Sequence, residues 1–359
     1  MSTLKVERST LASRLMRLKE AGQLSVLDLD QIKGELVDVQ ITDKADAVFE
    51  GGGVKGIALA GAIDVAEKLG VKWKKIAGTS AGAITACLLA AGYSAEEIIR
   101  IVTKDMDFNK FMDEGLLDKI PLIGKIASAV FEKGIYEGDY FEEWMVEMLN
   151  AKGIKTFGDV KDENGKHRLK LIASDVTRRE MLILPDDLKK YGRDPDSFPI
   201  ARAARMSMSI PYFFEPVEFD FMESSGGTKK AFVVDGGLLS NFPVWLFDAP
   251  AGQLPRWPTY GFKLIEPDSD RPSASKWPHQ YVMSLLTTML EAHDKVYIDR
   301  ANFERTIGIP TMGIQTTQFD LTDDEKTLLL RAGQEAAIKF FKTWNFERHN
   351  REHRGISAG

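Results

Sequence analysis

The sequence predicts an α/β protein in which short buried strands alternate with helices around an open sheet. Two stretches carry this prediction. Residues 45–50 read as a first buried strand that passes through a glycine loop into a helical pattern, and residues 76–79 lead in the same way into an Ala/Leu-rich helix. A strand, a helix and a second strand in this order form one right-handed crossover, so both loops are expected side by side at the carboxyl edge of the sheet.

Composition limits the classes of protein that fit. The chain has 359 residues, of which 44% are apolar and 28% charged, and this is enough for one large core. The net charge of −6 gives no indication of a nucleic-acid partner. Cys87 is the single cysteine, so no intrachain disulfide can form. The first residues lack the apolar core of a signal peptide, and no stretch reaches the ~18 apolar residues of a membrane span, so we expect a cytoplasmic protein.

The first loop, residues 51–56, reads Gly-Gly-Gly-Val-Lys-Gly. Its glycines fit a dinucleotide fingerprint, but the next strand ends in Gly78-Thr79-Ser80 instead of an acidic residue. A Walker A loop is excluded because Gly56 is followed by isoleucine. The loop therefore indicates a helix N-terminus whose free N–H groups suit an anion.

The second loop has the Gly-x-Ser-x-Gly pattern, with Ser80 between Gly78 and Gly82. In a strand-to-helix turn this pattern holds the serine in a strained conformation with its hydroxyl exposed for nucleophilic attack. The same letters also occur in simple turns of small residues without any chemistry. Anion donors beside a serine nucleophile would form an oxyanion hole.

A third predicted strand, residues 231–234, is followed directly by Asp235-Gly236-Gly237. A carboxylate at the carboxyl end of a strand lies where site residues gather in an open α/β sheet. The alternative is an Asp-Gly turn in which the carboxylate caps its own backbone.

The rest of the chain shows no internal repeat and no interdomain linker. We predict an N-terminal extension over residues 1–44, a single catalytic domain over 45–345 and a frayed tail over 346–359. Residues 32–41 are predicted to form a strand, and the proline-rich stretch 249–280 a surface excursion. A capping box that starts at Thr322 predicts a last helix to about Trp344.

Two segments could contact lipid. Residues 9–22 form a basic amphipathic helix, which packs on its own domain or lies on a membrane surface. Residues 116–131 are unusually apolar and interrupted by Pro121 and Gly124, as in a lid, a lipid-facing surface or a buried helical hairpin.

The three motifs in this order resemble the patatin-like phospholipase family, whose pattern is Gly-Gly-Gly-x-Lys/Arg-Gly, Gly-x-Ser-x-Gly and Asp-Gly-Gly/Ala. Glu50 departs from the aspartate of many members. The resemblance covers roughly residues 45–345 and implies a three-layer α/β/α sandwich with a mainly parallel sheet that hydrolyses lipid acyl esters, without metal or cofactor. It implies the following site residues: Ser80 as nucleophile, Asp235 as its partner, Gly51, Gly52 and Gly53 as oxyanion donors, and Lys55, Gly56, Gly78, Gly82, Gly236 and Gly237 as support.

Other functions share some of these residues. A Ser-Asp-His α/β-hydrolase would use His279 or His293, but neither histidine lies in a motif, and the short spacing of the two loops disagrees with that fold. A transacylase would use every residue of the dyad. A non-catalytic module would use the glycine loop to hold a phosphate or acyl ligand. We expect a lipid or phospholipid substrate and peripheral contact with a membrane.

Overall fold

The computed structural model describes residues 11–354, apart from residues 12, 14, 38, 40, 107–137, 212, 223–225, 267–299, 315, 317 and 319. The segment 116–131 and both histidines of the alternative triad, His279 and His293, lie outside the described residues. Their predicted roles stay predictions.

In the described part of the chain, eight strands form one sheet: β1 Lys44–Phe49, β2 Lys72–Thr79, β3 Leu169–Asp175, β4 Glu180–Leu184, β5 Val217–Met222, β6 Thr228–Asp235, β7 Thr259–Ile265 and β8 Thr306–Pro310. Hydrogen-bonded neighbours follow the path β5-β6-β3-β2-β1-β7-β8, and β4 also pairs with β3. The pairs among β3, β2, β1, β7 and β8 are parallel, and those that involve β4, β5 or β6 are antiparallel. The predicted mainly parallel α/β sheet is confirmed.

The helices are α1 Leu29–Glu35, α2 Ile57–Lys68, α3 Ala81–Ala90, α4 Ala95–Arg100, α5 Asp139–Ala151, α6 Ile200–Ser207, α7 Arg300–Glu304, α8 Asp323–Phe341 and α9 Phe346–Arg354. Residues 15–20 are helical as well. The capping box predicted at Thr322 is present, because the Thr322 side chain accepts from Glu325 N–H and Glu325 accepts from Thr322 N–H. Among the described residues, no helix combines the length and apolarity needed to cross a membrane.

The two faces of the sheet are covered differently. On one face, Ala47 and Phe49 of β1 belong to a large core with residues of helices α2, α3 and α8. On the other face, Val48 packs in a small cluster with Phe242, Val244 and Phe247. Alternate residues of β1 are thus buried on both sides, as expected for a central parallel strand.

Three predicted segments differ from the structure. Residues 29–35 are helical instead of extended, because Asp28 and Gln31 form a capping box and Ile32 turns into the core. The predicted surface excursion 249–280 is wrong over Thr259–Ile265, because these residues form β7 and pair with β1 in the middle of the sheet, whereas residues 267–280 lie outside the described residues. The tail does not fray at residue 346, since α9 begins there and buries His349 and Asn350.

Candidate active site

Ser80 lies in the turn between β2 and α3 with φ 54° and ψ −126°. A residue other than glycine in this region carries a strain of about 1–3 kcal/mol. The turn depends on the close approach of backbones at both flanking glycines. A Cβ at Gly78 would lie 2.1 Å from the carbonyl oxygen of Gly82, and one at Gly82 would lie 2.4 Å from that of Phe49. The predicted nucleophile turn is therefore present in its strained form.

The strand register places Asp235 beside this turn. β2 runs along one side of β3 and ends with Thr79 paired to Ile172. β4 occupies the other side of β3 over residues 171–175, so β6 must lie on the same side as β2. β6 runs in the opposite direction and ends with Asp235 paired to Ala173, the next residue of β3. The carboxyl ends of β2 and β6 thus meet head to head, which brings Ser80 and Asp235 together.

The antiparallel direction of β6 was not predicted from the sequence. We expected Asp235 at the end of a strand in an open parallel sheet, where every carboxyl end lies at one edge. The Asp235 carboxylate still lies at that edge, because β6 runs along β3 in the opposite direction to β2 and ends where β2 ends.

The Asp235 carboxylate is buried and asymmetrically bonded. Its Oδ1 accepts a hydrogen bond from Gly237 N–H at 2.7 Å, whereas its Oδ2 has no hydrogen-bond partner among the described residues. Burial raises the pKa of Asp235 to about 6, and hydrogen bonding from Ser80 and from the Gly237 N–H opposes that rise. The Ser80 hydroxyl is therefore close enough to the carboxylate to affect its pKa.

The C-terminal end of α6 supports both residues. Ser207 Oγ accepts a hydrogen bond from Ser80 N–H at 3.0 Å and donates one to the carbonyl oxygen of Ile172 at 2.6 Å. Two residues later, the carbonyl of Ser209 accepts from Asp235 N–H at 2.8 Å. No local sequence motif indicates these contacts of Ser207 and Ser209.

The glycine loop lies against Ser80. A Cβ at Gly51 would lie 2.9 Å from Ser80 Cβ and 2.3 Å from Asn241 Oδ1. Gly51 and Asn241 also bond reciprocally, since Gly51 N–H donates to the Asn241 carbonyl and Asn241 Nδ2 donates to the Gly51 carbonyl, both at 3.3 Å. In contrast, the N–H groups of Gly52 and Gly53 have no acceptor among the described residues. Of the three glycines predicted as anion donors, Gly51 thus has its N–H engaged by Asn241, and the donor roles of all three stay predictions.

Charged side chains also connect the glycine loop to β7 and to the residue that follows β7. Lys55 is buried and its Nζ lies 2.5 Å from Glu266 Oε1. Glu50, the departure from the common aspartate, pairs with Lys263 and accepts from Leu264 N–H at 2.5 Å. These contacts tie the loop to β7, so Lys55 is committed to an ion pair.

The remaining motif glycines pack closely, and the described histidines lie elsewhere. A Cβ at Gly236 would lie 2.2 Å from the carbonyl oxygen of Ile172, and one at Gly56 would lie 3.2 Å from Ala81 Cβ. His167 bonds Asp196 at 2.7 Å, and the other described histidines belong to α9. No histidine in the described part of the chain contacts Asp235.

Comparison with known proteins agrees with this geometry. The profile of the patatin-like phospholipase family matches residues 47–248. An uncharacterized protein, YqhO, from Bacillus subtilis (strain 168) is 42% identical over 303 residues, which cover 84% of this chain and 99% of that protein. A probable lipid hydrolase, 463L, of Invertebrate iridescent virus 6 is 27% identical over 203 residues, which cover 55% of this chain and 61% of the viral protein.

Among solved structures, VipD from Legionella pneumophila is similar with a TM-score of 0.49 and 16% identity, over 84% of this chain and 67% of that one. This structural likeness is weak and adds nothing to the assignment. The profile match alone is sufficient, because it covers more than half of the chain. The chain belongs to the patatin-like phospholipase family, and this membership supports lipid acyl hydrolase activity.

Proposed function

We propose that the protein hydrolyses carboxylic esters of lipids through a Ser80–Asp235 dyad and an acyl-enzyme. The observation that carries the proposal is the head-to-head meeting of β2 and β6, which sets a strained serine beside a buried carboxylate. Family membership supports the lipid class of the substrate.

In the first step, Ser80 Oγ attacks the ester carbonyl carbon and its proton passes to Asp235. Gly237 N–H holds Oδ1 of the carboxylate, which leaves Oδ2 to receive that proton. The C–O bond to the alcohol then breaks, and Asp235 returns the proton to the leaving oxygen. Water attacks the acyl-enzyme by the same route and releases the fatty acid.

The oxyanion of the tetrahedral intermediate would be held by the N–H groups of Gly52 and Gly53, which have no acceptor among the described residues. Loss of one such donor typically costs about 3–4 kcal/mol of transition-state stabilisation. Gly51 would contribute through Asn241, because their paired hydrogen bonds fix the loop against Ser80.

The raised pKa of Asp235 resolves a difficulty of this dyad. An aspartate near its reference pKa of ~3.9 is a poor base for a serine hydroxyl. Burial raises the pKa of Asp235 to about 6, so the carboxylate is a stronger base that is still ionised at pH 7. We therefore expect kcat/KM to rise with pH, to be half-maximal near pH 6 and to level off about one pH unit higher.

Lipid hydrolysis by purified variants tests this proposal. Fatty-acid release from a panel of phospholipid and lysophospholipid vesicles is compared for the wild type, Ser80→Ala and Asp235→Asn. Ser197→Ala and Asp194→Asn are matched controls, because both replace exposed residues. We expect losses of roughly 10⁴-fold or more for the dyad variants only. A wild type that hydrolyses no ester on the panel, or a Ser80→Ala variant that retains wild-type turnover, contradicts the proposal.

The alternatives give different results in the same assay. Loss of activity in a folded His279→Ala/His293→Ala variant would favour the triad. Transfer of the acyl group to an added alcohol acceptor, in preference to water, would identify a transacylase. Vesicle binding without turnover would support the non-catalytic module.

Access to aggregated lipid remains a prediction from the sequence. Residues 9–22 and 116–131 are the segments proposed to contact the lipid surface, and the second lies outside the described residues. Charged substitutions in these segments should lower turnover on vesicles more than turnover on a short-chain soluble ester.

A further inference from the structure

A second cluster of reactive side chains lies at the opposite edge of the sheet, where β7 and β8 begin. Glu304 ends α7, two residues before the first residue of β8. His349 and His353 lie four residues apart on α9 and therefore share one helix face. One donor atom from each of these three residues lies within 4.8 Å of the others.

The cluster is incomplete as a hydrogen-bond network. His353 Nε2 lies 2.7 Å from Glu304 Oε2, but His349 Nδ1 is 3.8 Å from the same oxygen. That nitrogen is fully buried and has no hydrogen-bond partner among the described residues. A buried polar atom without a partner costs about 1–3 kcal/mol, so its retention here requires a reason.

We propose that Glu304, His349 and His353 bind a divalent transition metal ion of the Zn²⁺ class. Two imidazole nitrogens and one carboxylate oxygen are a ligand set that such ions prefer, and an i, i+4 pair of histidines presents both rings to one point. Zinc–ligand distances are about 2.0–2.2 Å. Small side-chain rotations would bring the three donors to these distances and would give His349 Nδ1 a partner.

The surroundings of the cluster orient the ligands. Arg300 Nε bonds Glu304 Oε1 at 3.0 Å, which leaves Oε2 turned towards the histidines. Hydrogen bonds of this kind fix ligand orientation in metal sites. Trp344 packs on the His349 ring with centroids 5.1 Å apart.

Nearby arginines oppose a cation, but most of their charge is already paired. Arg305 bonds both oxygens of Asp248, at 2.5 and 3.0 Å, and Arg354 lies 3.8 Å from the same carboxylate.

A metal at this position would connect α9 to α7 and so to the beginning of β8. Its effect would be on stability and not on ester hydrolysis, because Ser80 and Asp235 lie at the other edge of the sheet. The inference is independent of the proposed function.

The experiment is titration of the untagged, chelator-treated full chain with Co²⁺, followed by visible absorption, and with Zn²⁺, followed by calorimetry and thermal unfolding. We expect one ion per chain, a Co²⁺ absorption band and a higher Tm with Zn²⁺. His353→Ala and His349→Ala should each weaken binding by at least ten-fold and remove the Tm increase.

Controls separate this site from the other histidines. His167→Ala and the double variant His279→Ala/His293→Ala should bind as the wild type does. Because His349 is buried and its substitution could disturb α9, Glu304→Gln is tested in parallel; it changes one ligand atom and should also weaken binding. Absence of stoichiometric binding to the wild type, or unchanged binding to both His353→Ala and Glu304→Gln, overturns the proposal.

Discussion

The two edges of the sheet present different kinds of site. At the carboxyl edge, Ser80 and Asp235 are held by a strained turn, by two strands that meet end to end and by backbone contacts from α6. At the amino edge, side chains of helices and loops form the Arg305–Asp248 ion pair and the cluster around Glu304. The backbone of Arg305, unlike that of Ser80, does not adopt a positive φ. The first site is built into the backbone, whereas the second is built from side chains. Substitutions at the first should therefore change chemistry, and substitutions at the second should change stability alone.

The largest effect is expected for Asp235→Asn. Besides abolishing hydrolysis, it should raise stability at neutral pH, because the pKa of Asp235 is about 6 in the folded protein and ~3.9 when unfolded. A raised folded pKa means that ionisation opposes folding: the penalty is absent below about pH 4 and complete above about pH 6. It amounts to about 3 kcal/mol.

Urea unfolding of the wild type and of Asp235→Asn from pH 4 to pH 8 measures this difference. The variant should gain relative stability between about pH 4 and pH 6, and its advantage should stay constant from there to pH 8. A constant difference between the two proteins would show that Asp235 is not desolvated as described.

The second largest effect is expected for Ser207→Ala. It leaves the buried N–H of Ser80 without its acceptor, which typically costs about 1–3 kcal/mol, and it frees the strained turn to shift. We expect kcat to fall by roughly 10- to 100-fold with little change in KM, since misplacement of a reacting group acts on the chemical step.

Steady-state kinetics of Ser207→Ala and Ser207→Thr separate positioning from folding. Threonine keeps the hydroxyl and should restore part of kcat. Equal kcat for the alanine variant and the wild type would remove Ser207 from the support of the nucleophile.

Arg305→Met tests the amino edge. Arg305 is buried and bonds both oxygens of Asp248, so its loss leaves a partly exposed carboxylate without its partner and should cost about 2 kcal/mol. The kcat of ester hydrolysis should not change. A large loss of kcat in folded Arg305→Met would show that the two edges are coupled.

The smallest effect is expected for Ser80→Gly. Glycine adopts positive φ without strain, so this variant should be more stable than Ser80→Ala by about 1 kcal/mol. Thermal unfolding of the two inactive variants provides the comparison. If Ser80→Ala is the more stable of the two, the turn is not strained.

The sequence predicts most of the carboxyl edge because its parts are local. A strand, a glycine turn and a helix follow one another around both loops, and the Gly-x-Ser-x-Gly spacing reports the close backbone approach at Gly78 and Gly82. The antiparallel direction of β6 and the contacts of Ser207 depend on strand register, which no local pattern contains.

The amino edge is less accessible to sequence analysis. β7 follows a run rich in proline and tryptophan and has no polar–apolar alternation, because it is buried on both faces beside β1. β5, in contrast, alternates from Val217 to Met222, a signal that could have been recognised. The histidine pair of α9 was hidden in a segment interpreted as a frayed tail, although its spacing of four residues is typical of a helical metal-binding face.

The most direct test of the dyad is active-site labelling with a fluorophosphonate probe, followed by peptide mapping. The account predicts a single adduct on Ser80, none in Ser80→Ala, and labelling of folded Asp235→Asn slowed by roughly 100-fold or more at pH 8. An adduct on another residue, or labelling of Asp235→Asn at the wild-type rate, would contradict it.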